Sequence, residues 1–554
     1  MTYPSDADIA RAHHLEPMDT IAHRAGLDPR FVVGYGRGKA KIDVAAMPAT
    51  PRKGTLILVT AMSPTPAGEG KSTVLIGLAD AVRAAGHSTI VAIREPSQGP
   101  VMGLKGGAAG GGQAQIVPME DINLHFTGDL HAIAAANNTL AAMVDNHIHQ
   151  GNELGIDPRR VTWRRCIDVN DRSLRNIVSG LGGPTHGTPR EAGFDITAAS
   201  EIMAVLCLAT DLKDLQERLA RIVVGQTYER RPITAAELGA TGALTALLRD
   251  AINPNLVQTL GGTPAIVHGG PFANIAHGCN SLIGTDTALR HADVVLTEAG
   301  FGSDLGAEKF FDIKARAGGL QVNAVVVVAT IRSLKYNGGV AKDQLASEDL
   351  VALERGLANL GRHCENVAKF GVQPVIALNH FSNDTAAEIA RVQDWASERG
   401  LQAVLTTVWA EGGAGASELA RIVLESAVEK RSAPLYDPAE GTEASLRTIA
   451  REIYGAADVQ LSAAAAADLR YLQENGWDRL PVCISKTPYS FSDDPTQLGA
   501  PNGHTLHVRK LVPRIGAGFV VALTGDVMTL PGLPKRPAAE GIDVDATGCI
   551  TGLF

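Results

Sequence analysis

Aromatic side chains are scarce in this 554-residue chain, where Phe, Trp and Tyr together make up 4%. Against so thin a background, a pocket that clusters rings stands out. The six cysteines, Cys166, Cys207, Cys279, Cys364, Cys483 and Cys549, include no close pair. That spacing argues against a zinc motif or a disulfide framework and suits a reducing compartment. A basic surplus is also lacking, since 50 Lys and Arg against 59 Asp and Glu leave a formal charge of −9. Nucleic acid and anionic membranes are therefore poor main partners, although a basic pocket inside an acidic protein is compatible. No apolar run approaches membrane-spanning length, and the opening Met1-Thr-Tyr-Pro-Ser-Asp-Ala-Asp does not read as a signal peptide. The expected setting is cytoplasmic.

What the chain does have is a strand, a glycine turn and a helix in the order that binds phosphate. Residues 56–59 are a continuous apolar run, and Leu75, Leu78, Ala79 and Val82 recur at helical spacing before Gly86. Between them, Thr65-Pro-Ala-Gly-Glu-Gly-Lys-Ser can curl at Gly68 and Gly70 so that successive N–H groups face a polyphosphate. Thr65 stands where the usual phosphate loop has its first glycine, so the motif is a variant. The candidate ATP-binding residues are Thr65, Pro66, Ala67, Gly68, Glu69, Gly70, Lys71 and Ser72. Lys71 would reach the terminal phosphates, and the Ser72 hydroxyl is placed for Mg²⁺. The bland alternative is a glycine turn that merely joins strand to helix.

A second strand over 88–93 runs into Arg94-Glu-Pro-Ser, and in open parallel sheets ligands gather at the carboxyl ends of strands. Lys71 and Arg94 are thus candidate catalytic cations for phosphoryl transfer, although Arg94 could instead form a structural ion pair. Short strands recur at 263–267, 292–296, 324–329, 372–378 and 403–408 with helical stretches between them, the pattern of a doubly wound, mostly parallel α/β sheet. Smaller α/β or α+β units are expected toward the C-terminus. The expected division is 1–362 as the large nucleotide-binding part, 363–455 as a second α/β part and 456–554 as a small terminal one. Gly106-Gly-Ala-Ala-Gly-Gly-Gly-Gln is either a linker or a segment that closes over ligand. His147 and His149 would share a face on a strand and diverge on a helix. Three strand-end loops carry an aromatic, Phe301, Phe381 or Trp409, and jointly they favour a planar ligand over core packing. On these residues alone the acceptor stays open, and so do another ATP-dependent ligase and a nucleotide-switched ATPase.

Several dispersed motifs narrow this. Thr65-Pro-Ala-Gly-Glu-Gly-Lys-Ser, Arg94-Glu-Pro-Ser, Lys105-Gly-Gly-Ala-Ala-Gly-Gly-Gly, Asp145-Asn-His-Ile-His-Gln-Gly-Asn-Glu-Leu, Val267-His-Gly-Gly-Pro-Phe-Ala-Asn-Ile-Ala-His-Gly, Glu298-Ala-Gly-Phe-Gly-Ser-Asp-Leu-Gly-Ala-Glu-Lys-Phe and Lys486-Thr-Pro-Tyr-Ser together resemble formate–tetrahydrofolate ligases. The resemblance implies that ATP, formate and tetrahydrofolate give ADP, phosphate and 10-formyltetrahydrofolate through formyl phosphate. It also implies folate binding by Phe301, Phe381 and Trp409, activation by a monovalent cation (K⁺ or NH₄⁺), and a homotetramer. No nucleic-acid or membrane partner is expected.

Overall fold

The computed structural model describes residues 4–66, 68–104, 109–427, 432–525 and 527–553. The apolar runs of the sequence become strands covered on both faces, as a parallel sheet requires. The main sheet has twelve strands. They are β1 Val32–Gly34, β2 Ala40–Ile42, β3 Thr55–Ala61, β4 Thr89–Ile93, β5 Gly110–Gly111, β6 Ala114–Val117, β7 Asn255–Thr259, β8 Pro264–Val267, β9 Val294–Glu298, β10 Ala324–Ala329, β11 Pro374–Asn379 and β12 Gln402–Thr406. Their order across the sheet is β1-β2-β7-β8-β4-β9-β3-β10-β11-β12, with the β5–β6 hairpin joined to β7. From β8 to β12 every pairing is parallel. The β1, β2 and β7 edge is antiparallel.

Alternate residues of the central strands feed two separate cores. Leu56 and Leu58 pack into one with the helices Asp129–His149 and Leu350–Ala368, whereas Ile57 and Val59 pack into the other with Lys71–Ala84 and Ser417–Ser426. This is the period-two alternation of a strand between two helical layers, as doubly winding the sheet demands. After β3 the chain crosses to β4 on one side, while β10, β11 and β12 lie on the other, so the order reverses at β3. A crevice for ligand opens outside the carboxyl ends at such a reversal.

The expected boundary at 362/363 falls inside the helix Leu350–Ala368, and β11 and β12 continue the sheet that contains β3. A smaller mixed sheet follows, built from β13 Asp458–Leu461, β14 Val482–Ser485, β15 Thr505–Arg514 and β16 Phe519–Thr524 in the order β13-β15-β16-β14. His147 and His149 lie on the helix Asp129–His149, where two residues turn through about 200° and point the rings apart. His147 Nε2 is already engaged by the Leu154 N–H at 3.1 Å. No helix among the described residues is long and apolar enough to cross a membrane.

Candidate active site

The turn over 65–72, the candidate phosphate loop, forms as its glycines allow. Gly68 and Gly70 take φ of 80° and 69°, left-handed values that a side chain resists, and Gly70 is the N-cap of the helix Lys71–Ala84. At Gly70 there is no room either, because a Cβ would lie 2.4 Å from Asn379 Nδ2. Asn379, at the carboxyl end of β11, donates to the Glu69 carbonyl at 3.1 Å. The Glu69 side chain turns inward, accepting from the Thr65 N–H at 2.6 Å and from the Thr330 hydroxyl. Arg332 donates to the Gly68 carbonyl and sits 3.7 Å from Glu69. Burial raises the Glu69 carboxyl above its usual range, and Arg332 opposes the shift. The Glu69 carboxylate therefore frames the loop, and Glu69 also contributes to the cavity lining. Ala67 lies outside the described residues.

Lys71, Ser72 and Arg94 meet at one carboxylate. β9 is hydrogen-bonded between β4 and β3, so its last residue, Glu298, emerges between Arg94 and the loop. Lys71 Nζ and Ser72 Oγ both donate to Glu298 Oε2, the latter at 2.8 Å. Arg94 reaches Glu298 Oε1 through Nη2 at 3.1 Å and Nε at 3.3 Å. Glu298 is fully buried, which by itself would raise its pKa, yet Lys71 and Arg94 outweigh burial and hold it down at about 2. Two cations share one anion, and the centre keeps a positive surplus for a further anion. The salt bridge expected as the bland reading of Arg94 exists, but its partner is Glu298 in the site itself.

A cavity of about 700 Å³ opens beside this cluster, lined by Lys71, Ser72, Arg94, Glu95 and Phe301 among others. Phe301 holds φ of 59°, unusual for a residue with a side chain, and such backbone strain gathers at ligand sites. Glu95 is 4% exposed with Oε2 unpartnered, and burial together with Asp129 raises its carboxyl well above the usual range. Phe381 and Trp409 do not line this cavity. Each is nonetheless tied to its edge. The Arg332 guanidinium that holds Gly68 lies 4.0 Å from the Phe381 ring centroid. Trp409, 38% exposed, accepts the Gln113 N–H at 2.8 Å through its carbonyl and packs on the β5–β6 hairpin.

That hairpin holds part of the glycine-rich segment; residues 105–108 are not among the described residues. A Cβ at Gly110 would meet the Ala114 carbonyl at 2.2 Å and one at Gly112 the Trp409 carbonyl at 2.0 Å. The glycines thus allow close approach between the cavity wall and Trp409. Among the described residues no group of three or more His, Cys, Asp or Glu is disposed to hold a metal ion.

A glycine loop, two strand-end cations and a nearby cavity would suit many nucleotide enzymes. The family model for formate–tetrahydrofolate ligase matches residues 4–554. The chain belongs to the formate–tetrahydrofolate ligase family. It is 71% identical to the formate–tetrahydrofolate ligase of Corynebacterium jeikeium, over all of this chain and 98% of the relative. It is 69% identical to that of Corynebacterium diphtheriae, with both chains fully covered. Identity to the Arthrobacter ligase is 59% over 99% of each chain. In this ligase the residue that sequence reasoning left without a role is Glu298. Its signal was an acid, Glu298, two residues past the buried-type strand read at 292–296.

Proposed function

We propose that this chain uses ATP to join formate to tetrahydrofolate, giving ADP, phosphate and 10-formyltetrahydrofolate through formyl phosphate. The observation that carries the reading is the convergence of Lys71 and Arg94 at the mouth of a phosphate loop in a chain of this family. A formate oxygen attacks the γ-phosphorus and ADP leaves. N10 of the folate then attacks the formyl carbon, phosphate leaves, and N10 loses its proton. Charge develops on phosphoryl oxygens in both steps, so cations aimed at that point lower both barriers. Lys71 and Arg94 are those cations. The backbone N–H groups of residues 68–72 orient the phosphates.

Ser72 Oγ lines the cavity at the helix N-terminus and, as a hard oxygen donor, would hold the Mg²⁺ that accompanies ATP; that ion neutralises phosphate charge when bound. Activation by a monovalent cation (K⁺ or NH₄⁺) belongs to the same reading, without an assigned site. Phe301, Phe381 and Trp409 serve as the folate-binding aromatics, and the homotetramer and cytoplasmic setting belong to the same reading. The test is ADP release measured with formate and tetrahydrofolate omitted in turn. Turnover that needs both supports the ligase, whereas steady ATP hydrolysis independent of either overturns it.

A further inference from the structure

The residues assigned to phosphate also donate to a protein carboxylate. Lys71, Ser72 and Arg94 all donate to Glu298, which is 0% exposed, and among the described residues no other cationic side chain pairs with it. A triphosphate drawing Lys71 and Arg94 toward itself would leave Glu298 as a buried charge with only the Ser72 hydroxyl, an arrangement that strongly resists formation. Something positive must replace the departing cations. The oxygens of Ser72 and Glu298, 2.8 Å apart, are the hard donors that a divalent cation takes.

We infer that Glu298 pairs with Lys71 and Arg94 until nucleotide binds, and that on nucleotide entry it exchanges them for a divalent cation shared with Ser72. Lys71 and Arg94 are thereby kept aimed at the point of transfer, and the exchange couples metal to nucleotide. No bond is made or broken; the carboxylate changes only its cationic partners. The competing reading is a permanent structural ion pair, in which Glu298 never releases either cation.

Binding of a non-hydrolysable ATP analogue, measured by calorimetry in EDTA and again with Mg²⁺, separates the two without formate, folate or turnover. For the wild type, Mg²⁺ should tighten binding. In Glu298→Gln the cations are no longer held by a carboxylate, so metal-free binding should tighten roughly tenfold or more while the gain from Mg²⁺ shrinks. A structural pair predicts instead a loss shared equally by both conditions, and that result overturns the proposal. Ser72→Ala keeps the buried pair intact and guards against a folding defect in the first variant. Its readout is the ratio of affinities with and without Mg²⁺: that gain should shrink, and an undiminished gain overturns the role of the Ser72–Glu298 pair. The inference rests on the nucleotide reading of the site. Absence of any nucleotide binding by the wild type would overturn both, whereas tight binding with unaltered metal dependence in the variants overturns this one alone.

Discussion

Glu298 and Glu308 stand ten residues apart in sequence, both fully buried, and their carboxyls are driven in opposite directions. Glu298 is held at about 2, because Lys71 and Arg94 outweigh its burial. Glu308 is pushed well above the usual range, first by burial and then by Asp312 beside it, with Lys309 the opposing cation. No N–H or hydroxyl of the described residues donates to Glu308; the group beside it is the Asp312 carboxyl, with which a proton can be shared. Burial raises both carboxyls; the convergence of cations decides which stays charged. One cluster is thereby prepared to meet an anion, and the other retains a proton. The chain winds through π-helical turns at Ser303–Ala307, between them, and at Phe310–Ala315, just past Glu308, each wider than an α-helix and common at functional sites.

The sharpest way to break this contrast is to remove a cation from Glu298. Lys71→Ala should leave the fold intact, since Arg94 still balances the carboxylate, and should reduce kcat/KM by about a thousandfold or more, in line with loss of a preorganised charge. Steady-state kinetics with a melting curve decides it. Wild-type-like turnover in the folded variant would remove Lys71 from the transfer step. Arg94→Gln comes next, with an expected loss of roughly a hundredfold borne by kcat, because the charge it meets grows during transfer. A change confined to the KM for ATP would make Arg94 a ground-state binding residue.

A milder perturbation lies outside both charged clusters. Trp409→Ala should raise the KM for tetrahydrofolate roughly tenfold while that for ATP moves little, as expected for lost stacking on a flat ring. Its 38% exposure makes a purely core role a poor description. If the variant melts lower and all substrates suffer alike, Trp409 supports the β5–β6 hairpin and not the folate.

The parallel centre of the sheet was legible because residues such as 324–329 are apolar on both faces and have no other place to go. The β1–β2–β7 edge was not. Its strands are short, Val33 points outward, and the buried Lys41 is balanced at 2.8 Å by Asp129, a partner 88 residues away. Arg94 and Lys71 could be placed because each follows its own strand. Glu298 could not, since its meeting with them depends on β9 inserting between β4 and β3, a non-consecutive order that periodicity does not encode. For the glycine-rich segment, composition allowed either a linker or a ligand-side element; its described part packs its backbone against the Trp409 carbonyl.

The smallest expected effect tests the other half of the contrast. Asp312 is raised to about 7 by burial, against the opposing pull of the Leu435 N–H and Arg316. Its folded pKa therefore exceeds its unfolded one. Between the ordinary carboxylate range and about pH 7 the folded protein keeps a proton that the unfolded chain releases, so stability from this group falls as pH rises through that window and is level above it. Asp312→Asn retains an oxygen for the Leu435 N–H at 2.7 Å, and its amide can donate to Glu308, but it does not titrate. The variant should lose less melting temperature than the wild type between pH 5.5 and 8, by roughly 1–3 °C in a chain of this size. Parallel curves would mean that Asp312 is ionised throughout. The two buried acids would then differ only in which cation each has found, with Arg316 serving Asp312 as Lys71 serves Glu298.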